Sequence, residues 1–229
     1  MSILVATTPL IASPYQQVWS DLLQRYVIQT QKNGIDTTLV DYEQFGQSPS
    51  FLALVRYLEQ AKIPQEKDAA LSFWIDVYHM AMVKAMTAYP RLQTPTPEFY
   101  NTAMVIVSGT PMTLTQIRNT IEQLTDVPSP LLLTDGTVGS PDFPLHTVQG
   151  KSAQIYCANR VKKMLTNSGK SIKIDTNTRT LYTSEYLVRN LGEKWRQDPH
   201  LKESFNEINS ETYSIRILPY DKTFNRRTP

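Results

Sequence analysis

One long apolar helix constrains this chain more than any other feature. Between Lys67 and Tyr89 the residues Leu71, Trp74, Ile75, Tyr78, Met82, Ala85, Met86 and Tyr89 recur at steps of three and four, and Phe73, Val77 and Ala81 add a second apolar stripe. A helix that is apolar over most of its circumference has to be enclosed by the rest of the fold. Pro90 stops it, since proline cannot continue an internal hydrogen-bond ladder. The expectation is a helix-rich domain organised around a central buried helix at about residues 67–89.

The remaining segments supply the enclosure. Ser13-Pro14 is a helix start, and Val18, Trp19, Leu22, Leu23, Tyr26 and Val27 predict a helix to about Gln31, ended by Asn33-Gly34. Thr37 to Tyr42 reads as a short strand and Ser50 as the start of a second helix. Ala103–Val107 and Met112–Leu114 form a hairpin across Ser108-Gly109, followed by a helix to Leu124. Leu131–Leu133 reads as a short buried strand, then a loop runs from Thr134 to Pro144. Lys151–Asn167 is an amphipathic helix. Ile172–Ile174 and Thr180–Tyr182 form a second hairpin, and a helix capped at Thr183 or Ser184 runs to about Trp195. Leu201–Ile208 is a last helix and Tyr213–Leu218 a last strand. Helices with small antiparallel hairpins and no repeating βαβ unit define an α+β class. The boundaries are a tail at 1–12, a domain at 13–221 and a basic tail at 222–229.

Composition removes whole classes of function. The 229 residues contain one cysteine, Cys157, which excludes an intrachain disulfide framework and any CxxC-type metal or redox site. Neither GxGxxG nor GxxxxGK[ST] occurs, so the usual nucleotide-cradling loops are missing and no cofactor is implied. No window reaches the ~18 apolar residues of a spanning helix, and the N-terminal apolar stretch is too short for a secretory signal, so the expected location is cytoplasmic. Residues 1–150 hold 8 Lys/Arg against 13 Asp/Glu, a net −5, while residues 151–229 hold 15 against 8, a net +7. Such polarity suits either internal complementarity or an acidic partner. The cations Arg160, Lys162, Lys163, Lys170, Lys173, Arg226 and Arg227 are scattered over a helix, a hairpin and a tail, which is not a nucleic-acid footprint.

Six segments, in order, resemble the family of unknown function called DUF547. Phe73-Trp74-Ile75-Asp76-Val77-Tyr78-His79 resembles its FWINLYN helix, and Val40-Asp41-Tyr42 with Phe45 its VDY segment. Gly109–Ile117 resembles its hairpin and short helix, and Asp126–Pro141 its DPRIHFALNCASVGCP stretch. Thr180-Leu-Tyr-Thr-Ser is similar to its LYLSSIF region, and Ile217-Leu-Pro-Tyr-Asp with Asn225 to its YLPYDWSLN ending. The resemblance spans nearly the whole chain. In the family a His precedes a Cys by five residues, an arrangement that suggests papain-like Cys–His chemistry and a papain-like fold. Residue by residue, that His falls on Pro130, the Cys on Asp135 and a second Cys on Ser140. Both asparagines of FWINLYN are changed as well, to Asp76 and His79. The resemblance therefore implies a descendant that keeps the scaffold without the reactive pair.

The substituting residues are the candidate site. Asp76 and His79 stand at i and i+3 on the central helix, so their side chains can meet as an acid–base dyad, as two metal ligands, or as a buried hydrogen-bonded pair. His146, just beyond the Asp135 loop, is within reach of that helix on sequence grounds; His200, after Pro199, reads as exposed. Asp135 and Asp142 put two carboxylates in a flexible loop near Ser140, and Gly139-Ser140-Pro141 lacks the GxSxG of a nucleophile elbow. Cys157 shares a helical face with Ala153 and Val161 and reads as core. No metal set is assembled. The leading expectation is a non-catalytic binding or scaffold module for a protein partner, with a groove lined by Asp76, His79, Asp135 and His146. The alternatives are a hydrolase with Asp135 as base or nucleophile and His79 or His146 as its partner, and a peripheral subunit docking through its basic C-terminal part.

Overall fold

The structure is a computed structural model and describes residues 14–148, 153–167, 169–192, 195–202 and 212–227. Helix α1 (Pro14–Tyr26) runs directly into strand β1 (Val27–Lys32), which pairs antiparallel with β2 (Ile35–Val40). The helical spacing that predicts continuation to Gln31 is overridden by the turn. Asn33 and Gly34 have φ of 53° and 77°, the left-handed pair a two-residue hairpin needs, so they close a hairpin instead of a helix. The β-branched Val27, Ile28 and Thr30 suit the extended backbone that results.

After β2 come α2 (Tyr42–Gln47), capped by the Asp41 carboxylate on the Gln44 N–H at 3.0 Å, and α3 (Pro49–Glu59), capped by Ser48. Helix α4 (Lys67–Ala88) is the predicted central helix. Glu66 caps it, accepting from the backbone of Asp68 and Ala69, and every residue from Ala70 to Met86 except Lys84 is buried. Around it pack α2, strand β3 (Ala103–Val107), α6 (Leu114–Glu122) and α8 (Ala153–Thr166). Helix α5 (Pro97–Asn101) precedes β3, which pairs with β4 (Thr110–Thr113) as expected, and a capping box of Thr113 and Gln116 starts α6.

The buried strand expected at Leu131–Leu133 is instead the short helix α7 (Ser129–Leu132), with a proline in its first turn. Its backbone groups turn locally: Leu131 N–H donates to Pro128 and Leu133 N–H to Ser129. Strands β5 (Ile172–Asp175) and β6 (Thr180–Ser184) form the second hairpin, and α9 (Glu185–Leu191) follows, stopping short of Trp195 at Gly192. A 3-10 turn at Trp195–Gln197 and helix α10 (Pro199–Lys202) come next. The rest of the helix expected to Ile208, like the 1–12 tail, lies outside the described residues. The last expected strand, β7 (Ser214–Leu218), pairs parallel with β6 and extends the second hairpin to three strands. The class is helix-rich α+β with small sheets, in a single domain.

Residues 222–227 are not a tail on this domain. Phe224 and Asn225 are buried, with the Phe224 ring tilted at 40° against Phe99, centroids 5.3 Å apart. The Tyr42 hydroxyl donates to Asn225 Oδ1 at 2.7 Å, and Asn225 Nδ2 donates to the Thr38 carbonyl at 3.2 Å. Arg226 donates to the carbonyls of Met86 and Tyr89, closing the C-terminal end of α4. A basic side chain there offsets the partial negative charge of unsatisfied helix carbonyls.

Candidate functional site

The Thr134–Pro144 loop is held along much of its length rather than flexible. The Thr137 N–H and hydroxyl both donate to Asp135 Oδ1, at 2.9 and 2.6 Å, and the Asp135 N–H donates to Ser140 Oγ at 3.2 Å. The C-terminal segment lies across this loop: Asn225 N–H donates to the Gly136 carbonyl at 2.8 Å, and Val138 and Gly139 donate to Thr223 and Asp221. Gly136 itself has φ of 85°, and a Cβ there would come within 2.6 Å of Met86 Cε. The left-handed φ favours glycine there, since any other side chain would be strained in that backbone conformation.

Two tyrosines tie the loop to its neighbours. Tyr78, from α4, donates its hydroxyl to the Thr134 carbonyl at 2.9 Å, and Tyr100, from α5, donates to the Asp135 carbonyl at 3.1 Å. Beyond them opens a cleft of about 520 Å³. Tyr78, Tyr100, Tyr186 and Tyr220 contribute its aromatic walls, with Pro95, Pro97 and Pro130. Asp135 reaches it from the loop, Arg118 from α6, Arg189 from α9 and Lys222 from the C-terminal segment. Burial raises the pKa of Asp135, against the lowering effect of its hydrogen bonds. Burial also pushes the Tyr220 hydroxyl up to about 12, and the nearby Asp135 adds to this.

Of the four residues expected to share a groove, only Asp135 lines the cleft. Asp76 is buried on α4 and takes the Thr147 hydroxyl on Oδ2 at 2.5 Å. Desolvation raises its pKa to about 7 despite that bond and the Val148 backbone. His79 is also buried, but its Nδ1 lies 2.7 Å from the Ile75 carbonyl of its own helix, and Nε2 has no hydrogen-bond partner among the described residues. Its ring packs edge-on to Tyr78 and Phe143, at 5.5 and 5.1 Å. Burial, with Arg160 nearby, pushes its pKa down to about 3, so it is a neutral core ring. The i, i+3 spacing thus brings two buried groups onto one helix without joining them. His146 is exposed, and the Asp76 partner from that segment is its neighbour Thr147.

Asp142 also separates from Asp135. Its Oδ1 meets the fully buried Lys170 at 2.5 Å and its Oδ2 meets Lys163 at 2.9 Å. Burial opposes the charge, but the two lysines hold this carboxyl below its ordinary range. Arg160 donates to the carbonyls of Leu132 and Asp142. Several cations of the basic C-terminal part are therefore spent inside the fold. Cys157 is buried among core side chains, and burial raises its pKa to about 12, which removes its nucleophilic form. The half-buried His200 ring reaches the Asp126 carbonyl at 3.2 Å.

The cleft has no cysteine or histidine in its lining, so no nucleophile–imidazole pair is assembled there. Ser129 lines it, but its hydroxyl donates to Glu122. Among the described residues no cluster of three His, Cys, Asp or Glu side chains is placed to hold a metal ion, and no helix is long and apolar enough to cross a membrane. Tyr78 and Tyr220 sit inside segments singled out in the sequence, whereas Arg118 and Tyr100 carry no local signal and are found only through the fold. What the geometry defines is a helix-rich α+β domain with a tyrosine-lined cleft to which Arg118, Arg189 and Lys222 contribute. No family model, no curated protein and no solved structure matches this chain.

Proposed function

We propose that this protein is a non-catalytic, DUF547-like binding module whose ligand site is the tyrosine-lined cleft. The observation that carries the reading is what lines the cleft. Pro130 and Asp135, the positions where the resemblance puts a His and a Cys, both face it, beside Tyr78 and Tyr220 from two other motif segments. A cleft built from several motif segments, with the reactive pair replaced by groups unable to act as thiolate and imidazole, is a cleft kept for binding. The held loop supports this, because a pre-organised wall lowers the ordering cost of binding. A protein partner that offers a side chain or terminus to the cleft belongs to this reading.

The hydrolase alternative has one observation in its favour, the cleft-facing Asp135 with its raised pKa. It needs His79 or His146 beside that carboxyl, and neither lines the cleft. The test is turnover of a panel of amide, ester and phosphate-ester substrates by the full chain. No turnover above an Asp135→Asn control is expected. Turnover that Asp135→Asn abolishes overturns the reading.

A further inference from the structure

The charge of the cleft is unbalanced. Among the described residues, Arg118, Arg189 and Lys222 line it against one carboxylate, Asp135. Arg189 and Lys222 share Glu185, at 3.8 and 2.9 Å, and Glu185 is not part of the lining. Arg118 has no carboxylate partner among the described residues. Its half-buried guanidinium lies over the Tyr100 ring, 5.9 Å from the ring centre. Guanidinium presents a planar fork of donors that matches a carboxylate or phosphate.

Two further groups point the same way. The buried Tyr186 lines the cleft with a hydroxyl that makes no hydrogen bond to the described residues, and its ring meets Tyr220 at 5.4 Å and 70°. The Lys222 ammonium sits over that Tyr220 ring at 5.3 Å. Asp135 is the carboxyl that an anion in the cleft meets. Thr137 occupies its Oδ1 with two hydrogen bonds, and burial raises the carboxyl's pKa above its ordinary value. A volume of about 520 Å³ lies within the range of sites for compact organic ligands.

We infer that the cleft binds a small organic oxyanion, a phosphate monoester or a carboxylate on a ring-sized body, with Arg118 forking the oxyanion and the tyrosine faces holding the body. This rests on the binding-module reading and names its ligand class. The test is calorimetric titration of the full chain, in phosphate-free buffer, with phenyl phosphate, benzoate and neutral phenol. At least one anion is expected to bind, more weakly as salt rises, and phenol is not; which anion binds tells phosphate from carboxylate. Arg118→Gln is expected to weaken that binding at least about tenfold, the loss of one charge-assisted contact. Tyr186→Phe removes only the hydroxyl and is expected to weaken it several-fold with an unchanged thermal melt.

The inference is overturned if phenol binds as tightly as the anions, if neither anion binds, or if both variants bind as the parent does. In those cases the binding-module reading still stands on its own turnover test. If phenol and inorganic phosphate accumulate from phenyl phosphate and Asp135→Asn stops them, the oxyanion site is upheld and the non-catalytic reading falls.

Discussion

Asp76 gives the structure a pH dependence that a single substitution isolates. Its carboxyl is buried on α4 and its pKa is raised from 3.8 to about 7. The native chain therefore keeps a proton that the unfolded chain has already released. Stability falls by about 1.4 kcal/mol for each pH unit between the two values and levels off above about pH 7. Over some three units the cost of the ionised form reaches about 4 kcal/mol. In Asp76→Asn the charge is gone and the remaining oxygen still accepts the Thr147 hydroxyl, but the amide nitrogen lacks an assigned acceptor, at a cost of about 1–3 kcal/mol. The variant is thus expected to be less stable than the parent near pH 4, by about 1–3 kcal/mol, and more stable at pH 8 by a similar amount. Urea denaturation of both proteins at several pH values between 4 and 8.5 measures this directly. A stability difference that does not change with pH refutes the desolvation argument for Asp76.

Three other perturbations follow from the same structure. Lys170→Met strands Asp142 beside Lys163 alone and leaves Thr37 without its Nζ donor, so a loss of about 2–4 kcal/mol is expected in urea; adding Asp142→Asn should restore part of it, and an additive double variant contradicts the pairing. Phe224→Ala opens a cavity between Phe99 and the Gly136 loop and should cost about 3–5 kcal/mol, where a true C-terminal tail would cost nothing. Cys157 should react with a thiol reagent only at the rate of unfolding, because it is buried with a pKa raised to about 12; fast labelling of the native chain at neutral pH would contradict its core placement.

The central helix was legible because its apolar residues run around the whole circumference, and only enclosure satisfies such a segment. The first hairpin was harder to see. α1 and β1 meet at Tyr26-Val27 with no glycine or proline between them, so the helical spacing carries past the true end, and Asn33-Gly34 serves equally as a helix stop or a type I′ turn. The Leu131–Leu133 run was apolar enough for a buried strand, but Pro128-Ser129-Pro130 and local hydrogen bonds turn it into a helix. Residues 222–227 look like a polar tail because their anchors are isolated: Phe224 and Asn225 gain their partners from segments far away in sequence.

The site was legible only where a motif carried it. The Pro130 and Asp135 positions, singled out through the resemblance, do face one cleft, and Tyr78 and Tyr220 accompany them. Spacing alone misdirected the Asp76–His79 pair, since i, i+3 geometry permits contact without supplying a reason for it. Each side chain found a closer partner, Thr147 for one and the Ile75 carbonyl for the other. Arg118 was invisible in the sequence because an unpaired guanidinium is defined by what surrounds it in three dimensions.

The most direct measurement is a crystal structure of the full chain grown with saturating phenyl phosphate in phosphate-free buffer. The expected density is an intact ester in the cleft, its phosphate against the Arg118 guanidinium and its ring among the tyrosine faces. A cleft that stays empty both with phenyl phosphate and with benzoate, or cleaved product lying beside Asp135, contradicts a non-catalytic oxyanion-binding site.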